Sequence, residues 1–206
     1  EPSAALRRQH LDSVPTELAV DIQDLAQQMH VAGQPPHWLP EHLPLVLSYL
    51  PSGVSVGLYG RGPNWLFAAA AAHAVPAAFY LFDVRLGWIT PSQVSVTSDV
   101  PDQPVSLVAV HDAGSSRLQV QAPGYYLDYA ECRQIVAPTL PTGQGVIVSG
   151  KIPHWLMTGV VLAYRSQPWV AVYQPQLGTQ AVVVSARTDG HRVGDLVALP
   201  DPPNVS

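Results

Sequence analysis

The pattern of hydrophobic positions changes period on either side of a glycine turn in residues 50–98. Residues 54–59 are apolar and β-prone, which is typical of a buried strand. Residues 64–74 are alanine-rich and predict a helix, and residues 77–82 predict a second apolar strand. The order strand, glycine turn, helix, strand predicts a βαβ crossover, in which the two strands are parallel.

The same pattern returns later in the chain. Residues 146–149 and 169–173 predict strands on either side of a helix over residues 154–165. Residues 181–185 predict one further apolar strand. The second half of the chain therefore predicts the same crossover as the first.

The segments around these two blocks are less regular. Residues 105–111 and 117–121 flank D-A-G-S-S and predict a hairpin, and residues 125–136 predict a helix. In the N-terminal part we expect a helix, a proline-rich loop and a short helix over residues 16–29, 34–40 and 41–50.

A repeated phrase indicates that the two blocks are copies. L-P-S-G-V-S-V-G-L-Y-G-R-G-P-N-W-L at residues 50–66 matches L-P-T-G-Q-G-V-I-V-S-G-K-I-P-H-W-L at residues 140–156. Further on, F-D-V-R-L-G at residues 82–87 matches Y-Q-P-Q-L-G at residues 173–178, now shifted by one residue. Repetition at a fixed period predicts a repeated structural unit.

The predicted fold class is therefore α/β, with two tandem small units that each contain a strand, a glycine turn, a helix and a strand in a mixed sheet. We place the units at residues 1–100 and 101–206, with the junction in D-V-P-D-Q-P at residues 99–104. The second unit is expected to be the more complete one, because the first 49 residues show no clear echo of it.

Composition excludes several classes of function. The net charge is −5 and Lys151 is the only lysine, so the chain lacks the basic surface that holds long DNA or RNA. Cys132 is the only cysteine, which excludes an internal disulfide framework. No apolar run reaches the roughly 18 residues of a membrane span. We therefore expect a cytoplasmic protein without membrane association.

The two glycine turns are candidate anion sites. A turn between a buried strand and a helix directs backbone N–H groups and the positive helix end at one point, which suits phosphate. The alternative is a connector whose glycines serve packing alone. The candidate ligand-binding residues are Gly60, Arg61, Gly62, Pro63 and Asn64 in the first turn, and Ser149, Gly150, Lys151 and His154 in the second.

Three further residues could take part in chemistry. Asp83 ends an apolar strand, so it is expected at the same sheet edge as Gly60, and Arg85 follows two residues later. A turn aspartate with a surface arginine is the alternative. His73 lies near the end of the alanine-rich helix, where a histidine can simply interact with the negative end of the helix dipole.

The repeated phrases resemble the CRISPR-associated Csx-three family. Its pattern is a strand, S-G-R-G-P-x-W-L, a helix containing A-H, V-A-V-x-D-P-R-L-G, a strand of valines, and G-D near the end. Residues 103–197 resemble a whole family member, and residues 50–98 resemble its central part.

This resemblance implies a ring nuclease, which binds the second messenger cyclic tetra-adenylate and cleaves it to switch off type III CRISPR antiviral signalling. It implies manganese or another divalent metal as cofactor. It also implies a fused pseudodimer, in which one chain replaces two subunits, and a homo-oligomer that holds the ligand between copies.

Residue by residue, the first unit matches the family better than the second. Asp83 and Arg85 match D-x-R-L-G, and His73 approximately matches the helix histidine, so the resemblance implies that these three are catalytic and that Asp83 and His73 hold the metal. Arg61 matches the arginine of G-R-G-P. The second unit has glutamines in place of the aspartate and arginine, at Gln174 and Gln176, and so looks non-catalytic.

Two routes to cleavage remain open from the sequence. A metal could activate water, or the ribose 2′-OH could attack its own phosphodiester after alignment by the protein. Two other functions also remain open. One is a sensor or sponge that binds the ring without cutting it, and the other is an interaction protein that retained the fold without the ligand.

Overall fold

A computed structural model describes residues 3–33, 36–112, 114–124 and 126–199. Its helices are α1 (Ala4–Asp12), α2 (Ile22–Gln28), α3 (Leu43–Tyr49), α4 (Asn64–Ala74) and α5 (His154–Ala163). Its strands are β1 (Leu18–Asp21), β2 (Val56–Tyr59), β3 (Phe79–Asp83), β4 (Gly87–Ile89), β5 (Gln93–Thr97), β6 (Ser106–His111), β7 (Ser115–Gln121), β8 (Gln134–Pro138), β9 (Gly145–Ser149), β10 (Trp169–Tyr173), β11 (Gln180–Ala186) and β12 (Leu196–Ala198). Short 3-10 turns cover Pro40–His42 and Pro175–Leu177.

The first sheet has the strand order β1-β2-β3-β4. Strands β1, β2 and β3 are parallel, and β4 returns antiparallel to β3. Helix α4 connects β2 to β3 across one face of the sheet. The predicted strand, turn, helix, strand order is therefore confirmed, and α4 has the predicted bounds.

The second sheet repeats this arrangement inside a larger one. Its order is β12-β11-β10-β9-β7-β6. Strands β7, β9 and β10 are parallel and β11 is antiparallel to β10, as in the first sheet. Strands β6 and β12 extend the two edges in antiparallel pairing, and β6 with β7 forms the predicted hairpin around a turn whose Ala113 lies outside the described residues. The predicted mixed α/β fold is confirmed.

One hydrophobic core joins the two repeats. Helix α4 is buried from Trp65 to Ala71 and packs against both α5 and β11. A helix that is apolar on all sides needs cover on all sides, and the alanines of α4 let these neighbours approach closely. Strand β5 leaves the first repeat and pairs in parallel with β8 of the second. The division at residue 100 stays a prediction, because core and strand pairing both cross it.

Two predicted helices are wrong in whole or in part. Residues 16–29 contain strand β1 before helix α2 begins at Ile22, because Leu18–Asp21 pairs with β2 and Asp21 caps the helix. Residues 126–133 form turns, and β8 follows from Gln134, so the helix predicted over 125–136 does not form within the described residues. Tyr125 lies outside those residues. Helix α1 was not predicted, while the short helix over residues 41–50 is confirmed by α3.

Candidate functional site

The two glycine turns have matching backbone geometry. Gly60 has φ +113° and Gly150 has φ +153°, a region that disfavours residues with a side chain. A Cβ at Gly150 would also collide with the carbonyl oxygen of Val120. Pro63 and Pro153 then occupy the N-cap positions of α4 and α5, and neither helix has a side-chain cap. The N–H groups of Leu66 and Leu156 donate to the carbonyls of Pro63 and Pro153, so in each helix only the N–H groups of the first two residues are left for other partners.

The turns meet at one place, through Asn64 and His154. These residues are the first of α4 and α5 and are 90 positions apart in the chain. His154 Nδ1 and Asn64 Oδ1 are 2.5 Å apart, and Asn64 Nδ2 donates to the Ile152 carbonyl at 3.3 Å. The N-termini of both helices, and with them both turns, therefore face a shared surface, which we call the turn junction (residues 60–64 and 150–154).

The hydrogen bonds of Asn64 set the proton on His154. Because the Asn64 amide nitrogen donates to Ile152, its oxygen is left to accept from Nδ1–H of His154. The neutral ring then carries no proton on Nε2. The imidazole stacks on Phe67 of α4 at 4.2 Å between ring centroids. Burial lowers the pKa of His154 to about 4, although the nearby Asp83 carboxylate acts in the opposite direction.

Two cations border the turn junction. Arg61 and Lys151 stand at matching positions in the two turns, and both are exposed. Within the described residues neither forms an ion pair. Arg61 and Gly60 also line a cavity of about 240 Å³ at the carboxyl end of the first sheet. Gly62 packs against Ile22 and Leu66, and Ser149 is the last residue of β9. The sequence-predicted binding residues thus lie together.

Asp83 and Arg85 lie at the same sheet edge as Gly60. Leu81 of β3 pairs with Leu58 of β2, so Asp83 is level with Gly60, two residues further along each strand. The Asp83 Oδ1 atom accepts from the backbone N–H groups of Arg85 and Leu86 at 2.8 and 3.3 Å. Arg85 Nε is 3.8 Å from the same oxygen, and the Arg85 side chain is 56% exposed against 18% for Asp83. The second carboxylate oxygen has no such partner within the described residues.

Strand register identifies the equivalent residues in the second repeat. Val56 pairs with Phe79, and its equivalent Val146 pairs with Val170, so the offset between β3 and β10 is one residue larger than between β2 and β9. Asp83 and Arg85 therefore correspond to the residues at 174 and 176. Gln174 and Gln176 are hydrogen-bonded to each other there. The second half of the site contains amides where the first contains an ion pair.

His73 lies at the other end of the first sheet. Helix α4 begins at the carboxyl edge and runs back, so His73, near its C-terminus, is about 13 Å further along the helix axis than Asn64. Its Nε2 atom lies 2.9 Å from the carbonyl oxygen of Leu50. The structure thus separates His73 from Asp83 and Arg85, which it brings together.

The donor atoms around Asp83 do not fit a resident divalent metal. Among the described residues, no three His, Cys, Asp or Glu side chains converge on a common point. One carboxylate and one imidazole define no coordination sphere for manganese, which prefers several oxygen ligands. Since His73 is on the opposite edge, the metal pair implied by the resemblance does not form within one chain.

Sequence reasoning missed a group of residues that encloses this edge. Arg7 of α1 pairs with Asp21 at 2.5 Å and with Asp24 at 2.6 Å, which raises the pKa of the Arg7 guanidinium. His10 stacks on Phe82, with ring centroids 4.4 Å apart. The signal available was Asp21 at the end of L-A-V-D, a short apolar run that was interpreted as helix.

A comparison with protein-family models identifies part of the chain. Residues 121–198 match the model of the CRISPR-associated protein (Cas_csx3). We call residues 121–198 the matched segment. The family resemblance drawn from the repeated phrases is thereby confirmed for this segment, which contains the Gly150 turn and ends with β12. The matched segment is less than half of the chain and leaves out Asp83 and Arg85.

The matched segment thus contains only one of the two turns. The turn of residues 60–64 comes from outside the matched segment, although its strands and helix have the same order and direction. In the described residues, none of the helices is both long and apolar enough to cross a bilayer.

Proposed function

We propose that the chain is a ring nuclease that binds cyclic tetra-adenylate at the turn junction and cleaves it in the half that contains Asp83 and Arg85. The observation that supports it is the Asn64–His154 hydrogen bond, which brings two uncapped helix N-termini and two exposed cations to one surface. A cyclic ligand with several phosphates suits such a surface, because each turn can hold one phosphate.

The proposed cleavage reaction uses no metal ion held by residues of this chain. A ribose 2′-oxygen attacks the adjacent phosphorus, the bond from phosphorus to the 5′-oxygen breaks, and a linear oligoadenylate with a 2′,3′-cyclic phosphate results. Nε2 of His154 accepts the 2′-OH proton, and solvent protonates the leaving 5′-oxygen. Arg85 and Arg61 offset the charge that develops on the phosphoryl oxygens. The protein's main contribution is the in-line alignment of the reacting atoms.

In this scheme Asp83 is a positioning residue. Its carboxylate holds the backbone of Arg85 and Leu86 and attracts the Arg85 guanidinium, which fixes the donor that faces the phosphate. The His73 edge is a candidate surface for a second copy. Stacking the His73 edge of one copy on the Asp83 edge of another is a heterologous contact, which makes head-to-tail oligomers.

The deciding experiment is incubation of the purified chain with labelled cyclic tetra-adenylate in molar excess, in EDTA and in manganese, with products resolved over time. Multiple turnovers in EDTA that Asp83→Asn suppresses are the expected result. A ring that stays intact in both buffers would contradict cleavage. Light scattering with and without the ring measures the proposed self-association.

A binding protein without cleavage is the second candidate. It is favoured by the mutual hydrogen bond of Gln174 and Gln176 in the second half and by the distance of His73 from Asp83. Under this function the ring binds with one-to-one stoichiometry at the turn junction and remains intact. Titration by calorimetry together with product analysis separates the two functions.

A further inference from the structure

Exposed apolar side chains gather around Arg85. Val84 is 86% exposed and Leu86 is 44% exposed in the turn between β3 and β4, and Tyr126, which lies against the Arg85 guanidinium, is 61% exposed. We call these three residues the rim patch. Single exposed apolar residues are ordinary, but two that flank Arg85 in the chain and a tyrosine in contact with its guanidinium form a candidate surface for a ligand.

The tyrosine of the rim patch is in direct contact with the proposed site. The Arg85 Cζ atom lies 5.0 Å from the centroid of the Tyr126 ring, which is a cation–π geometry. Tyr126 lies in the segment that matches the Cas_csx3 model, whereas Arg85 lies in the first repeat. Arg85 covers part of the Tyr126 ring. Because the tyrosine is exposed, the rest of its aromatic surface is open to a planar group.

One residue of the rim patch reaches the proposed phosphate-binding turn. Val84 lines the same 240 Å³ cavity as Gly60 and Arg61. A ligand whose phosphate is held at the Gly60 turn therefore has Val84 next to it, and Arg85, which contacts Tyr126, follows Val84 in the chain. Nucleotides present this combination, because each phosphate is followed by a planar base.

We propose that Tyr126 is a base-stacking residue of this site. The inference rests on the proposed function and names a residue that contacts a base of the ligand. Aromatic side chains stack on any base, because every base has a π-face, and an adjacent guanidinium adds to the stack. Tyr126 therefore contributes affinity for nucleotides without selecting adenine.

The test compares two linear probes, tetra-adenylate and the matched abasic tetranucleotide, by direct titration. Tyr126→Ala should weaken tetra-adenylate binding by about 5-fold to 100-fold and leave abasic binding unchanged. Tyr126→Phe retains the ring and should bind tetra-adenylate as the wild type does. Tyr49→Ala, which removes an exposed tyrosine on α3, is the matched control and should change neither affinity.

Each other outcome overturns the stacking role in a recognisable way. If Tyr126→Ala weakens both probes equally, Tyr126 acts only by holding Arg85. If tetra-adenylate affinity depends on Arg61 but not on Tyr126, the proposed function stands and the stacking role alone is overturned. If the wild-type chain binds cyclic tetra-adenylate but neither linear probe, the same comparison is made with the ring, and if it binds neither the ring nor the linear probes, both the proposed function and the stacking role are overturned.

Discussion

Asn64 and His154 occupy the same position in two copies of one structural unit and are hydrogen-bonded to each other. A contact between equivalent residues places them on a local pseudo-twofold axis. The two residues are not identical, so each makes different contacts. Asn64 accepts from the imidazole and also donates to Ile152, while the His154 ring stacks on Phe67. The pseudo-twofold axis thus passes through the proposed site, and the difference between the two residues makes the site asymmetric.

Removing the Asn64 side chain should destabilise the junction between the repeats. Asn64→Ala leaves the Nδ1–H group of the largely buried His154 without its acceptor, which costs about 1–3 kcal/mol. Urea unfolding followed by tryptophan fluorescence measures the loss, because Trp65 and Trp155 follow the two residues directly. Gln9→Ala, on the exposed face of α1, should leave the midpoint unchanged. An unchanged midpoint for Asn64→Ala would mean that the contact carries no net stability.

The repeated blocks could be predicted from sequence because local signals agree there. Helix α4 begins after Gly60 and Pro63 and is followed by an apolar strand, so propensity, turn chemistry and pattern favour the same structure. Strand β1 could not be predicted in this way. Its four residues precede a helix whose apolar spacing extends across the boundary, and only pairing with β2, more than 30 residues away, makes them a strand.

The candidate site, too, could be predicted from the sequence only in part. The turns, Asp83 and Arg85 follow predicted strands, so their shared edge is a consequence of parallel pairing. The Asn64–His154 contact and the position of Tyr126 depend on how two repeats pack together, which one repeat's sequence does not encode. The metal pair of His73 and Asp83 stays a prediction, and within one chain its two residues are separated because the helix between them runs from one edge of the sheet to the other.

Acid should destabilise the protein through His154. Its pKa is about 4 in the folded chain and 6.5 in the unfolded chain, so the unfolded state binds the proton first as the pH falls. The stabilisation from a neutral, buried His154 is complete above pH 6.5 and is lost as the pH falls toward 4. It amounts to at most about 3 kcal/mol. Urea midpoints measured across this pH range should therefore decline toward acid.

His154→Gln is the matched variant for this effect. The amide N–H can still donate to Asn64, but the side chain does not titrate, so the slope between pH 6.5 and 4 should flatten. His37→Gln changes an exposed histidine and should retain the wild-type slope. An unaltered slope in His154→Gln would show that other groups cause the acid sensitivity.

The two turn cations should contribute to ring binding in parallel. Arg61→Ala and Lys151→Ala each remove a charge-assisted contact to phosphate, which corresponds to about 10-fold weaker binding or more. Because both charges are exposed, raising the salt concentration should weaken the wild type more than either variant. Calorimetric titration with cyclic tetra-adenylate measures both effects. Arg165→Ala, just after the end of α5, is the control and should bind the ring as the wild type does. A loss of affinity in only one of the two turn variants would contradict binding across the junction.

Cleavage should depend on Asp83 and be transferable to the second half. Asp83→Asn retains a side-chain acceptor for the Arg85 backbone but removes the charge that holds its guanidinium, so ring binding should persist while single-turnover cleavage falls about 100-fold.

Register equates Asp83 and Arg85 with Gln174 and Gln176, so the double variant Gln174→Asp/Gln176→Arg rebuilds the ion pair in the second half. Combined with Asp83→Asn, it should restore part of the lost rate, because it places a guanidinium held by a carboxylate at the equivalent position of the second half. The same double variant with Asp83 intact measures whether the cleavage rates of the two halves add. No recovery in the combined variant would mean that the asymmetry at Asn64 and His154, rather than the two glutamines, makes the second half inactive.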